Sequence, residues 1–208
     1  MSRRATALAT AALILALAGC AAASAPPSPS PTATAAPTPT PTHTVSDAVD
    51  ETLRAELLAM LAEDQRVRAE GTFDGDGART ERLKELVAEH GWPGISLVGE
   101  DGEDAAWAIA QHSDLEPGFQ SDALDLLRAA VAADDASPGN LAYLEDRVAV
   151  GEGRPQLYGT QVGCGEDGPE PATPIRDEDG LDERRSAAGL APIEDYLAEM
   201  AEICALDG

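Results

Sequence analysis

Aromatic residues are nearly missing from this chain: two Trp, three Tyr and two Phe in 208 residues. A core must therefore be assembled from Leu, Ala, Val and Ile. Lysine is scarcer, with Lys84 alone against thirteen arginines, which together with the abundant Ala suggests a GC-rich bacterial genome. Positive charge as a whole is short: 14 basic residues face 38 acidic ones, a formal charge of −24. That balance argues strongly against nucleic acid as a partner and against a polybasic contact with a membrane. A solvated acidic surface or cationic partners are consistent with it.

Chemical signatures are missing too. There is no Gly-rich phosphate loop ending in Gly-Lys-Ser/Thr, no Gly-x-Ser-x-Gly elbow, no His-Glu-x-x-His and no paired Cys-x-x-Cys. "DGDGARTERLKE" opens like a calcium loop at Asp74 and Asp76, but Ala78 and Arg79 stand where an oxygen ligand and a glycine belong, so a plain turn is the better reading. No metal and no cofactor are expected.

A bilayer-spanning run is also lacking. Such a helix needs roughly 20 apolar residues, and the apolar stretch from Ala5 to Ala18 is shorter. It follows a basic head containing Arg3 and Arg4, the layout of a secretory signal. Its end, Leu17-Ala18-Gly19-Cys20, resembles the lipobox of bacterial lipoproteins. The resemblance implies removal of residues 1–19 and acylation of Cys20, palmitate being one such chain. Two or more chains anchor firmly, at about 0.8 kcal/mol per buried methylene. The expected location is the cell membrane, lipid-anchored on its extracytoplasmic face. Loss of Arg3 and Arg4 leaves 12 basic against 38 acidic residues, a charge of −26.

Residues 20–44 are almost entirely Ala, Pro, Ser and Thr, with His43. Such a tract has no large apolar side chain to bury and is expected to be a disordered linker. In polyproline II form, at about 3.1 Å per residue, it would reach up to about 70 Å. It also suits a glycosylated stalk.

Residues 45–208 are one domain's worth of chain. With Cys20 spent on lipid, Cys164 and Cys204 remain as an even pair in an oxidising compartment, so a disulfide is expected. The competing reading is a reactive thiol at Cys164, though no basic neighbour in sequence lowers its pKa.

The periodicity predicts a mainly α single domain with one irregular or short β segment. Val49, Leu53, Leu57 and Leu61 mark a helix over 46–70 with Ser46 as its N-cap. Further helices are expected over 78–90, 103–112 and 119–133, and from Ser137-Pro138 to about Val148, with the last two over 181–188 and 192–203. "ISLV" reads as a short extended piece, "VAVGEGRPQLYGTQVGCG" as irregular or short β, and "GPEPATPIRDEDG" as loop.

Two places suit chemistry. Gln111-His112 ends the third helix, with His112 on its apolar stripe, either as a hydrogen-bonded core residue or as a general base lining a pocket. The segment "DRVAVGEGRPQLYGTQ" gathers Asp146, Arg147, Gln156, Tyr158, Thr160 and Gln161. Gln156, Tyr158 and Thr160 alternate, so an extended backbone would place them on one side. They form either a small-molecule site or the ties that hold an irregular segment down. Arg184 and Arg185 offer an anion contact or, preferably, ion pairs with Asp182, Glu183 or neighbouring acids.

"AIAQHSD", "FQ", "YLEDRVAVGEGRPQLYGTQ" and "DERRSAAGLAPIEDY", in that order, resemble an uncharacterised bacterial domain family of unknown function. The resemblance spans most of Ala55 to Tyr196. It implies one continuous domain, often behind a secretion signal, and no reaction. The leading expectation is a lipid-anchored binding or interaction domain, its partner an envelope component, a small molecule or another protein. The alternative is a cell-envelope hydrolase with His112 as general base and Arg147, Gln156 and Tyr158 holding the substrate.

Overall fold

The computed structural model describes residues 48–205. They lie within one compact unit spanning Thr44–Gly208. The expected signal peptide, Cys20, the expected linker with His43, and Ser46 lie outside the described residues. Among the described residues, seven α-helices, a two-stranded hairpin and one 3-10 turn follow in order. The expected mainly helical domain with one short β element is what the chain forms.

Helix α1 (Glu51–Ala69) buries Leu53, Leu57 and Val67 on one face. Asp50 caps it, accepting from the N–H groups of Thr52 and Leu53 at 3.0 Å each. Asp50, not Ser46, supplies the cap at the observed start. Helix α2 (Asp76–His90) starts after a left-handed Gly75 and stops at Gly91, whose φ of 75° suits a residue without Cβ.

Helix α3 (Ile95–Gln111) corrects an expectation, because "ISLV" is its first turn and not an extended piece. The cap comes from far away in sequence. Asp135 accepts from the N–H of Ser96 through its carboxylate at 2.6 Å and from the N–H of Ile95 through its carbonyl at 2.8 Å. Gly99, at φ 75°, then kinks the helix before Glu103.

Helix α4 (Pro117–Ala132) and helix α5 (Pro138–Gly151) follow. Ser137 caps α5 as expected, accepting from the N–H of Asn140 at 3.3 Å, but the helix runs three residues past Val148. Helix α3 lies at the centre, touching α1, α2, α4 and α5. Its Ala105, Ala106 and Ala110 are fully buried and let the neighbours approach closely, with Leu57, Leu83, Ile109, Leu127 and Leu144 filling the core.

The stretch expected as loop holds strand β2 (Gly168–Pro171), antiparallel to β1 (Val162–Gly165). Pro169 and Pro171 are tolerated because a two-stranded sheet has only edges. After the 3-10 turn come α6 (Leu181–Ala187) and α7 (Ile193–Cys204). The expected disulfide is formed: Cys164 on β1 joins Cys204 at the end of α7, with Cα atoms 5.5 Å apart. Among the described residues no helix is long and apolar enough to cross a membrane.

Candidate functional site

On α1 the apolar spacing Leu53, Leu57 leads, seven residues after Leu57, to Asp64, which is completely buried. A carboxylate there must be paired. Arg68, one turn on, donates its Nε–H to both Asp64 oxygens at 3.1 Å, and the Arg79 Nε lies 3.6 Å from Asp64. Asp76 in turn accepts from Arg79 at 2.5 Å and from Arg68 at 3.1 and 3.2 Å. The would-be calcium ligands are thus engaged by arginine: Asp74 accepts through its backbone carbonyl from Arg79 at 3.1 Å.

His112 enters this network from the C-terminal end of α3. Its Nδ1 is 2.9 Å from Asp64 Oδ2 and 3.0 Å from Arg68 Nε. The Arg68 proton is already directed at the carboxylate, and an unprotonated Nδ1 would set a lone pair against Asp64. The tautomer with Nδ1–H donating to Asp64 is therefore favoured, leaving the acceptor lone pair on Nε2. Nε2 makes no hydrogen bond to any described residue. Burial pushes the imidazole below its ordinary range and Arg68 adds to this, while Asp64 pulls the other way. His112 is thus neither sealed in the core nor free: its side chain is 24% exposed.

Beside it opens a cleft of about 290 Å³, bounded by Arg68 and Asp76 on one side, Asp114 and Arg147 on the other, and Phe73 and Leu115. Arg147 and Asp114 form a bidentate pair, with the Nε bond at 2.9 Å. Burial works against the Asp114 charge, but Arg147 holds the carboxyl below its usual range. Phe73 is 70% and Leu115 75% exposed, two large apolar side chains left side by side on the surface of one cleft. The Arg68 guanidinium stacks 5.4 Å from the Phe73 ring. His112 shares the Asp64 carboxylate with one lining residue, Arg68, and does not itself line the cleft.

The remaining predicted site residues divide into two groups. Gln111, Arg147 and Gln161 meet: Gln161 Oε1 accepts from Arg147 at 3.2 Å and from Gln111 at 3.4 Å. Gln111 Oε1 is buried without a partner. Asp146 does something else. It is fully buried and accepts from the backbone N–H groups of Leu157, Tyr158 and Thr160 and from the Thr160 hydroxyl, at 2.7–3.2 Å. Gln156 is likewise spent on backbone, donating to the carbonyls of Gln161 and Thr173 at 3.0 Å and accepting from the Gln161 N–H at 2.8 Å.

This corrects the one-sided alternation expected of Gln156, Tyr158 and Thr160. The chain turns at Gly159, whose φ is 67°, and wraps the Asp146 carboxylate instead of extending. The ion pairs expected of Arg184 and Arg185 are formed only in part: Arg184 lies 3.8 Å from the neighbouring acid Asp177, while among the described residues Arg185 pairs with no acid, and both mainly hold backbone. Arg184 donates to the carbonyls of Leu157, Arg176 and Asp177, and Arg185 to those of Ala191 and Tyr158. Irregular backbone has no ladder partners for its carbonyls, and a guanidinium with several donors satisfies them where a carboxylate partner could not.

Sequence reasoning missed Asp64, Arg68 and Asp114, and read Asp76 and Arg79 only as parts of a turn. For Asp64 a signal existed, an acid on the apolar stripe of α1 with Arg68 at i+4. For Asp114 there was none, since its partner Arg147 lies 33 residues away.

A model of one protein family matches residues 51–207, which takes in α1 through α7. The chain belongs to a family of unknown function, DUF6624. No curated protein and no solved structure matches it. The DUF6624 match accounts for one continuous domain and assigns no chemistry to the Asp64–His112 pair or to the Arg68–Arg147 cleft.

Proposed function

We propose that this protein is a lipid-anchored extracytoplasmic lipoprotein whose helical domain binds a polar ligand in the cleft between Arg68 and Arg147. The observation that carries the binding reading is the convergence on one hollow of two guanidiniums from α1 and α5, two carboxylates, and the exposed Phe73 and Leu115. Each arginine already has a carboxylate partner. The cleft is therefore nearly neutral and offers donors, acceptors and an apolar rim together. That suits an uncharged or zwitterionic molecule with an apolar part, such as a fragment of the cell envelope, better than a bare ion.

Support for the anchor is the sequence Leu17-Ala18-Gly19-Cys20 ahead of a Pro/Thr/Ala tract. Detergent phase partitioning tests it: the mature chain is expected in the detergent phase and Cys20→Ser in water. Equal partitioning of both would refute the anchor. Thermal-shift screening with wall fragments, nucleosides and divalent cations tests the cleft. A ligand that stabilises the native chain should lose its effect in Arg147→Gln; a shift unchanged by that variant places binding elsewhere.

A second reading, hydrolysis with His112 as general base, rests on the Asp64 hydrogen bond that orients the ring. Under it, His112→Ala abolishes turnover of a bound wall fragment and leaves its binding intact.

A further inference from the structure

On the opposite side of α5 from Arg147, three arginines meet over a smaller hollow of about 160 Å³. Arg128 comes from α4, Arg154 from the turn after α5, and Arg176 from the segment before α6. The backbone that presents two of them is fastened. The Arg176 N–H donates to the Gln156 carbonyl at 2.8 Å, the Thr173 hydroxyl donates to the Arg154 carbonyl at 2.9 Å, and Arg184 grips the Arg176 carbonyl at 2.8 Å.

Their charges are unequally committed. Arg128 donates to Asp125 at 3.0 Å and to Glu145 at 2.7 Å, leaving its Nε. Arg154 is paired with Glu152 through Nε and one terminal nitrogen, leaving the other. Among the described residues Arg176 is the arginine whose guanidinium meets neither a carboxylate nor a carbonyl. In a sequence with 38 acidic and 14 basic residues, an arginine left without an acid is the exception. Of the two acids at the hollow, Asp146 has its oxygens filled by the turn at 157–160, and Glu145 is half-used by Arg128.

From these observations we infer that this hollow is an anion seat for a single phosphate group, separate from the Arg68–Arg147 cleft. Its volume of about 160 Å³ has room for one tetrahedral oxyanion. Guanidinium donors arriving from three elements suit the several oxygens of a tetrahedral ion, whereas a planar carboxylate is satisfied by one bidentate arginine. Glu145 limits the affinity by presenting a like charge.

The test is isothermal titration of the full chain in non-ionic detergent at low ionic strength, with chloride matched throughout. Three probes separate the sources of the group: inorganic phosphate, glycerol 3-phosphate, and glycerophosphoglycerol as a soluble lipid headgroup. Binding of the first two assigns a free phosphate or monoester; binding of the third alone assigns a diester headgroup. Whichever probe binds, Arg176→Gln should weaken it about tenfold, the scale of a lost charge-assisted contact. Glu145→Gln should tighten it by removing a like charge and freeing Arg128, a gain that a merely structural role would not produce. Unchanged circular dichroism of both variants secures the comparison. No heat with any probe, or affinities that Arg176→Gln and Glu145→Gln leave untouched, overturns the proposal.

Discussion

Asp64 Oδ2 lies 2.9 Å from His112 Nδ1, and the acid is completely buried while the imidazole is about one quarter exposed. The carboxylate orients the ring from behind and leaves the far nitrogen available. Asp64 also holds Arg68 in place, so one buried charge organises both the histidine and one wall of the cleft. Replacing it should leave the half-buried Arg68 and the buried Arg79 without that counter-charge. Asp64→Ala is expected to destabilise by roughly 3–5 kcal/mol, read as a lower urea midpoint. Asp64→Asn, which can still bond the ring, should cost less and permit the opposite tautomer, visible in the ¹⁵N shifts of His112. An unchanged tautomer in Asp64→Asn would remove the carboxylate from that role.

Glu103 makes stability fall as pH rises. It is buried on α3 and accepts from Trp92 Nε1 at 3.3 Å and Asn140 Nδ2 at 2.9 Å. Burial pushes its carboxyl up to about 7, with the two hydrogen bonds opposing. The folded chain therefore holds this proton more tightly than the unfolded one. Its contribution is fully present below the unfolded value near 4.5 and is lost as pH rises through about 7. Glu103→Gln should abolish that component, so wild type and variant diverge in urea midpoint between pH 5 and pH 8. His112 works oppositely, since its depressed value costs stability as pH falls below about 6.5. Parallel pH profiles for the wild type and Glu103→Gln would contradict the assignment.

The disulfide spans a sequence separation of 40 residues. On the chain-entropy model, closing a loop of that size is worth roughly 4 kcal/mol. It joins only the hairpin to α7, so its loss should be felt locally first. In Cys164→Ser with Cys204→Ser, amide exchange should accelerate in α7 and β1 before it does in α3. Uniform acceleration across all helices would show that the two regions unfold as one.

Asp146 holds the turn at 157–160 with four donors, three of them backbone N–H groups. Asp146→Ala strands these donors in the interior and is expected to cost at least about 3 kcal/mol. It should also expose the Arg154 and Leu157 region to limited proteolysis. Resistance equal to wild type would mean that Gln156, Arg184 and Arg185 suffice.

Much of the helical frame was legible because it follows from short-range regularity. Leu53 and Leu57, or Ala105 and Ile109, recur at helical spacing and are buried where that spacing puts them. Ser137-Pro138 announces its own helix start, and Cys164 and Cys204, an even pair in the domain, announce a bond. The misreadings share one physical origin, partners distant in sequence. "ISLV" is helical because Asp135 caps it from 39 residues away. The segment at 156–161 turns because Asp146 offers a buried charge for its N–H groups to surround.

Local spacing and composition were enough to specify a mainly helical acidic domain, its approximate helix boundaries and its cysteine pairing, because those depend on residues a turn or two apart or on counting. The Asp64–Arg68–His112 network, the cleft shared by Arg68 and Arg147, and the seat around Arg176 belong to folding alone. Each needs charges from separate elements to share a site partly withdrawn from water, and the strength of such pairing depends on burial and distance, which no linear spacing contains.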